Sequence, residues 1–299
     1  MRCTHIFLML VATAAPAAAQ QMMVLQGMWN HNGLMVEDRA ILMNATGGVA
    51  RIGDYTGMPL NDAGRQQTDS WMAARMEVPE HQCHPHPAQY TMWGPGNFRI
   101  TNIYEPQTDR IIGFHIDGLN ARQDRVIWLD GRPHPPAYAR HTWQGFSTGV
   151  WDGNMLTVET THLKEGWVQR NGIHMSDHGT LREHFIRHDD YLTVVMVIND
   201  PEHFEKPLIR TTQAKLDPSV ILQPDECQPF NTSIVNADRP RGYVPHWLPG
   251  QNPQLTEFAD TFGVPREAAR GGAKTMYPEY IDELKKMIEA QKNAASSSK

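Results

Sequence analysis

Between residues 110 and 217 the chain repeatedly alternates apolar and polar side chains, and most of the gaps between these runs are only a few residues long. The runs are "RIIGFHID" (110–117), "RVIWLDG" (125–131), "TWQGFSTGVW" (142–151), "MLTVETTH" (155–162), "TLREHFIRH" (180–188), "YLTVVMVIND" (191–200) and "PLIRTTQAKLD" (207–217). A period of two is the signature of a strand with one buried face. Asp117-Gly118, Asp130-Gly131 and Asp152-Gly153 punctuate the runs, and Asp-Gly tolerates the positive φ of tight hairpin turns. His188-Asp189-Asp190 reads as a further turn. Gaps this short leave no room for the crossover that parallel neighbours need, so the expected sheet is antiparallel. "QYTMW" (89–93) and "NFRITNIYE" (97–105) extend the series upstream. A meander of about nine strands can remove its exposed edges by closing on itself. The expected fold is therefore mainly β: an antiparallel meander closing into a lipocalin-like (calycin-type) barrel. A β-sandwich is the second arrangement.

The flanks are different. Residues 1–19 read as a secretory signal peptide, with Arg2, the apolar "IFLMLVATAA" and the small residues "PAAA". The apolar stretch is shorter than the roughly 20 residues that span a bilayer, so cleavage is expected after Ala19, giving a periplasmic or secreted protein without a membrane anchor. Residues 20–88 form an irregular N-terminal segment packing on the barrel, with "LMVEDRAILMN" as a strand candidate. The barrel core is residues 89–217, and residues 218–299 form a loop-rich extension ending in an amphipathic helix, "YPEYIDELKKMIEAQK" (277–292). Tyr277, Tyr280, Ile281, Leu284, Met287 and Ile288 make its apolar stripe, which would cover a barrel mouth or pair two chains as a homodimer. The final "NAASSSK" is expected to fray.

A net charge of −6 without a basic stripe argues against nucleic acid as partner. Cys3 would leave with the signal, so Cys83 and Cys227 remain as an even pair in an exported chain, and a disulfide is expected between them.

Chemistry-bearing residues gather in a few places. In "HTWQGFSTGVW" alternation puts Trp143, Gly145, Ser147, Gly149 and Trp151 on one face, and Gln144, Phe146, Thr148 and Val150 on the other. Glycines beside indoles leave room for a close strand or a ligand. On the return strand Leu156, Val158, Thr160 and His162 face together. His134 follows Arg132 in "DGRPHP", where imidazole and guanidinium could bind an oxygen or move a proton. His174 and Asp177 share the loop "GIHMSDHG", and a carboxylate beside a histidine can fix its tautomer. Glu183 shares an apolar face with Leu181 and Phe185, which demands a partner or a raised pKa. His84 and His86 in "CHPHP" form an H-x-H that could offer two ligands to a transition metal, although no third ligand is indicated. No phosphate loop, nucleophile elbow, zincin motif or dinucleotide fingerprint occurs.

The order of "DGRPHP" (130–135), "W-x-G-x-S-x-G-x-W-x-G" (143–153), "L-x-V-x-T" (156–160), "SD" (176–177), "E-x-F" (183–185) and "DP" (200–201) resembles a large, mostly uncharacterised family of exported bacterial proteins. "PLNDAGRQQTDSW" (59–71), Cys83 and Cys227 are similar to its entry and exit segments, so the likeness covers residues 25 to 230. The chain departs from the family pattern at His184, where an Arg is common, and at Asn154, where an Asp is common. The resemblance implies a shared fold and no particular reaction.

Taken together, these features lead to the expectation of an exported enzyme without organic cofactor, of lyase, dehydratase or isomerase type, acting on an apolar aromatic or isoprenoid molecule in a barrel pocket. His134, His162, His174, Asp177 and Glu183 are the candidate proton-transfer groups, and Arg132, Trp128, Trp143, Phe146 and Trp151 the candidate substrate-binding walls. The alternatives are a periplasmic carrier of a hydrophobic ligand, and a metal-dependent hydrolase.

Overall fold

The computed structural model describes residues 24–31, 51–72, 83–92, 96–118, 123–169, 171–222 and 246–297. The signal segment, the strand candidate at 34–44 and Cys227 with its expected disulfide lie outside these residues.

The strands are β1 (Gly27–Asn30), β2 (Phe98–Tyr104), β3 (Ile111–Gly118), β4 (Gln123–Trp128), β5 (Phe146–Asp152), β6 (Met155–Thr161), β7 (Gly166–Gln169), β8 (Ile173–Met175), β9 (Thr180–His188), β10 (Tyr191–Asn199) and β11 (Leu208–Leu216). Nine of them close a barrel in the order β1-β11-β10-β9-β6-β5-β4-β3-β2, and β7 and β8 form a separate hairpin. The meander and its closure make the fold lipocalin-like. Alternation sets the inside: Leu181, Glu183 and Phe185 of β9 and Leu192, Val194, Met196 and Ile198 of β10 are all buried. The β9–β10 hairpin pairs Tyr191 with His188 through to Asn199 with Thr180, and Asp189 takes a left-handed φ of 52° at its turn.

One seam departs from the expected antiparallel sheet. β4 and β5 run parallel, pairing Ile127 with Ser147 and Trp128 with Thr148. Residues 129–145 make this possible, because the Pro-rich segment between the two strands is long enough for a crossover. "QYTMW" is not a strand. After Pro87, residues Ala88–Thr91 make a single helical turn, α2, in which the Pro87 carbonyl accepts from Tyr90 N at 2.9 Å and Thr91 N at 3.1 Å. The ninth strand is instead β1, from the segment expected to be irregular. That segment also carries a helix, α1 (Asp62–Ser70), capped by Asn61, whose side chain accepts from Gly64 N at 2.9 Å.

Toward the C-terminus a short helix, α3 (Glu257–Phe262), precedes α4 (Tyr280–Ser297). α4 continues to Ser297, into the tail expected to fray, and of its expected apolar stripe only Tyr280 is buried. Ile281 is 54% exposed, so within the described residues the stripe neither covers a barrel mouth nor packs as a core helix.

Inside the barrel, apolar side chains pack around a buried ion pair. Trp29, Phe98, Phe114, Ile116, Leu156 and Val158 belong to one continuous core. In its midst Arg125 of β4 meets Glu183 of β9, and both side chains are fully enclosed. The guanidinium donates to Glu183 Oε1 at 3.1 Å, to Glu183 Oε2, to Thr160 Oγ1 at 2.8 Å and to Ser147 Oγ at 3.2 Å. At one end of the interior, His31 and Thr212 share a hydrogen bond of 2.5 Å.

Candidate functional site

The parallel seam produces the most distinctive surface feature. β4 presents Asp124, Val126 and Trp128 outward, between inward Gln123, Arg125 and Ile127. β5 joins it only from Ser147 onward. Before that, the chain swings away at Gly145, whose φ of 64° favours glycine. The two segments diverge, and between them opens a cleft of about 380 Å³ lined by Pro85, Asp124, Trp128, Trp143, Gln144 and Phe146 among others.

Three of the five expected binding residues, Trp128, Trp143 and Phe146, therefore line one cavity. Arg132 is outside the lining and stacks on one of its walls, with its guanidinium 3.5 Å from the Trp128 ring centre. Arg132 is held there by Asp130, which accepts from its Nε at 2.9 Å, and these hydrogen bonds pull the Asp130 pKa down to about 2. Trp151 is elsewhere, packed edge-on against Phe114 with its indole N–H buried and unpartnered. Trp143 sits under the Lys164 ammonium at 5.1 Å and beside His84 at 5.5 Å. Partial desolvation against Trp143, followed by the charge of Lys164, lowers the pKa of His84.

The cleft also contains groups that the pattern did not single out. Asp124 Oδ1 is 2.5 Å from His115 Nε2, a neighbour on β3. Gln144 donates through Nε2 to the His86 carbonyl at 2.5 Å, while its Oε1 is buried without a partner. Asp124 lies one residue before the expected strand at 125–131, so the alternation pattern did not place it. Nothing in the sequence distinguished Gln144.

The candidate proton-transfer residues divide among three places. His134 and His162 are close together on the outer wall. His134 Nε2 lies 2.8 Å from Thr148 Oγ1 and its Nδ1 lies 2.7 Å from Thr161 Oγ1. The same Thr161 oxygen is 2.8 Å from His162 Nδ1, and His162 Nε2 is 3.0 Å from the Pro136 carbonyl. A carbonyl can only accept, so Nε2 of His162 donates. For neutral rings the direction then propagates: Thr161 donates to His162, His134 Nδ1 donates to Thr161, and Thr148 donates to His134 Nε2. Burial, and secondarily His162, lowers the pKa of His134, in keeping with a neutral ring. His162 does not share the inward face of Leu156, Val158 and Thr160, because its φ of 56° turns it off the strand. His134 meets the cleft only through Phe146, against whose ring it packs edge-on at 5.2 Å.

Glu183 lies in the interior with Arg125, not with Arg132, Arg182 or a histidine. His174 and Asp177 belong to a third region, around the β7–β8 hairpin. His174 is on β8 rather than in a loop, and its Nδ1 donates to the Gly172 carbonyl at 2.8 Å. Burial pushes its pKa down to about 4. Asp177 is exposed and pairs with His178 at 3.3 Å, not with His174. Nearby, Asp200 is buried and accepts from Ser176 N and Oγ, both at 2.7 Å. His203 completes that cluster, its pKa raised chiefly by its bond to Asp200.

The H-x-H pair also separates. His84 is exposed beside Trp143, whereas His86 is buried against Tyr90 at 4.9 Å. The segment belongs to no sheet, and Cys83 takes a φ of 56°, so strand alternation does not apply. Among the described residues, no group of three or more His, Cys, Asp or Glu is placed to hold a metal ion.

No protein-family model matches the chain, and no curated protein or solved structure is significantly similar to it.

Proposed function

We propose that this protein captures a small aromatic molecule in the β4–β5 cleft and carries it without transforming it. One observation carries the reading: Trp128, Trp143 and Phe146 converge on an open cleft of ligand size, about 380 Å³. The acid–base reading is weaker at this site, because both nitrogens of His134 and of His162 are already engaged within the wall. A general acid or base needs a position within reach of its substrate. Glu183, enclosed with Arg125, has none. The signal-like start and the resemblance to exported proteins support a periplasmic or secreted setting for such a carrier.

The test is native mass spectrometry of the protein purified from its exporting host, followed by titration of the ligand found. A stoichiometric small aromatic that is lost in Trp128→Ala is the expected result. An empty wild-type protein that binds no aromatic compound would overturn the reading.

A cofactor-free lyase or isomerase remains a second reading, on a different residue set. Asp124 lines the cleft and bonds to His115 at 2.5 Å, a carboxylate–imidazole pair open to a ligand. Turnover that vanishes in His115→Gln while binding persists would establish it. No observation favours the metal-dependent hydrolase.

A further inference from the structure

The polar groups of the cleft lining define what kind of aromatic it takes. Of the charged side chains, the lining contains one, the carboxylate of Asp124, and no Lys or Arg. That carboxylate is 83% exposed, and only its Oδ1 is engaged, by His115. Ser147 brings no donor, because its hydroxyl is shared between Arg125 and Thr160 inside the barrel. The rings contribute in the same sense, since an indole face attracts positive charge, as Arg132 over Trp128 already shows.

We infer that the cleft selects a planar aromatic amine, with its ring on Trp128, Trp143 and Phe146 and its ammonium on Asp124. This rests on the carrier reading and names its ligand class. Arg132 does not oppose it, because Asp130 neutralises that guanidinium. Lys164 does oppose it. Its ammonium lies over Trp143 and makes no ion pair with a described carboxylate, so Lys164→Gln strengthens amine binding.

Calorimetric titration near pH 7 with three probes of equal ring size separates the possibilities: 2-naphthylmethylamine, 2-naphthol and 2-naphthoate. The expected order is amine tightest, naphthol next and naphthoate weakest, with all three weakened by Trp128→Ala. Asp124→Asn is expected to cost the amine about threefold, the worth of an exposed charge pair, and to leave naphthol unchanged. Naphthoate binding as tightly as the amine, or an amine affinity that does not fall in Asp124→Asn, overturns the amine assignment and leaves the carrier reading standing. If no probe binds, or if Trp128→Ala leaves all three unchanged, the carrier reading at this cleft fails and the amine assignment falls with it.

Discussion

Removing one charge from the barrel interior is expected to do more damage than removing both. Arg125 and Glu183 satisfy each other in a site with no water access, and deleting one partner strands the other. Glu183→Gln should destabilise the fold by about 3–5 kcal/mol, read as a lowered urea midpoint. The double change Arg125→Met, Glu183→Leu should recover most of that loss, and a double variant no better than the single would refute the account. A second residue sets the response to acid. His174 has its pKa lowered to about 4 by burial, against an ordinary value near 6.5. The unfolded chain therefore binds a proton first as pH falls. The stability contributed by the neutral ring is complete above pH 6.5 and is lost progressively down to about pH 4. Urea unfolding at pH 7 and pH 4.5 should show a loss that is smaller by about 2 kcal/mol in His174→Asn. An unchanged pH dependence in that variant would count against a neutral imidazole at this half-buried position.

At the scale of elements, the cleft depends on one bend. A Cβ on Gly145 would lie 2.6 Å from the Thr161 carbonyl oxygen and 2.7 Å from Thr160 Cγ2, besides straining a left-handed backbone. Gly145→Ala is expected to cost more than about 1 kcal/mol and to weaken ligand binding, because the segment carrying Trp143 and Phe146 must shift. Calorimetry with the bound aromatic beside urea unfolding would show both; a variant with wild-type affinity would mean that the bend does not shape the cleft. The strands themselves were legible. β9 and β10 alternate cleanly; β9 keeps the expected limits, Thr180–His188, and β10, Tyr191–Asn199, ends one residue short of the expected 191–200. The parallel seam was not, because "DGRPHPP" carries the same Asp-Gly signal as a hairpin and nothing local shows that the chain crosses over. The partner of Glu183 escaped for a related reason. In "RVIWLDG" both faces carry large side chains, so alternation alone does not say whether Arg125 or Trp128 goes inside. Among the cleft residues Trp128, Trp143 and Phe146 were recognisable by type. Their convergence required the seam. His134 and His162 were recognisable as titratable groups, but that their nitrogens were already committed depended on Thr148, Thr161 and the Pro136 carbonyl.

For the molecule as a whole, the barrel and the C-terminal helix should be energetically separable. Tyr280 anchors α4 through a hydrogen bond of 2.7 Å to the Ala268 carbonyl, and the rest of the helix is partly or wholly exposed. Truncation after Ile281 is therefore expected to lower the melting temperature by no more than about 3 °C. A larger fall would show that the helix is integral to the fold. If the helix pairs two chains, size-exclusion chromatography would record the same truncation as a change from dimer to monomer.

The position of β1 has its own consequence. This four-residue strand lies between β2 and β11, so it joins the start of the chain to residues Leu208–Leu216. During synthesis the early strands can form hairpins with their neighbours, but the ring has no last partner until β11 has left the ribosome. Such distant pairing is slow to form. The ring therefore cannot close until Leu208–Leu216 has been made, however early the hairpins within it form.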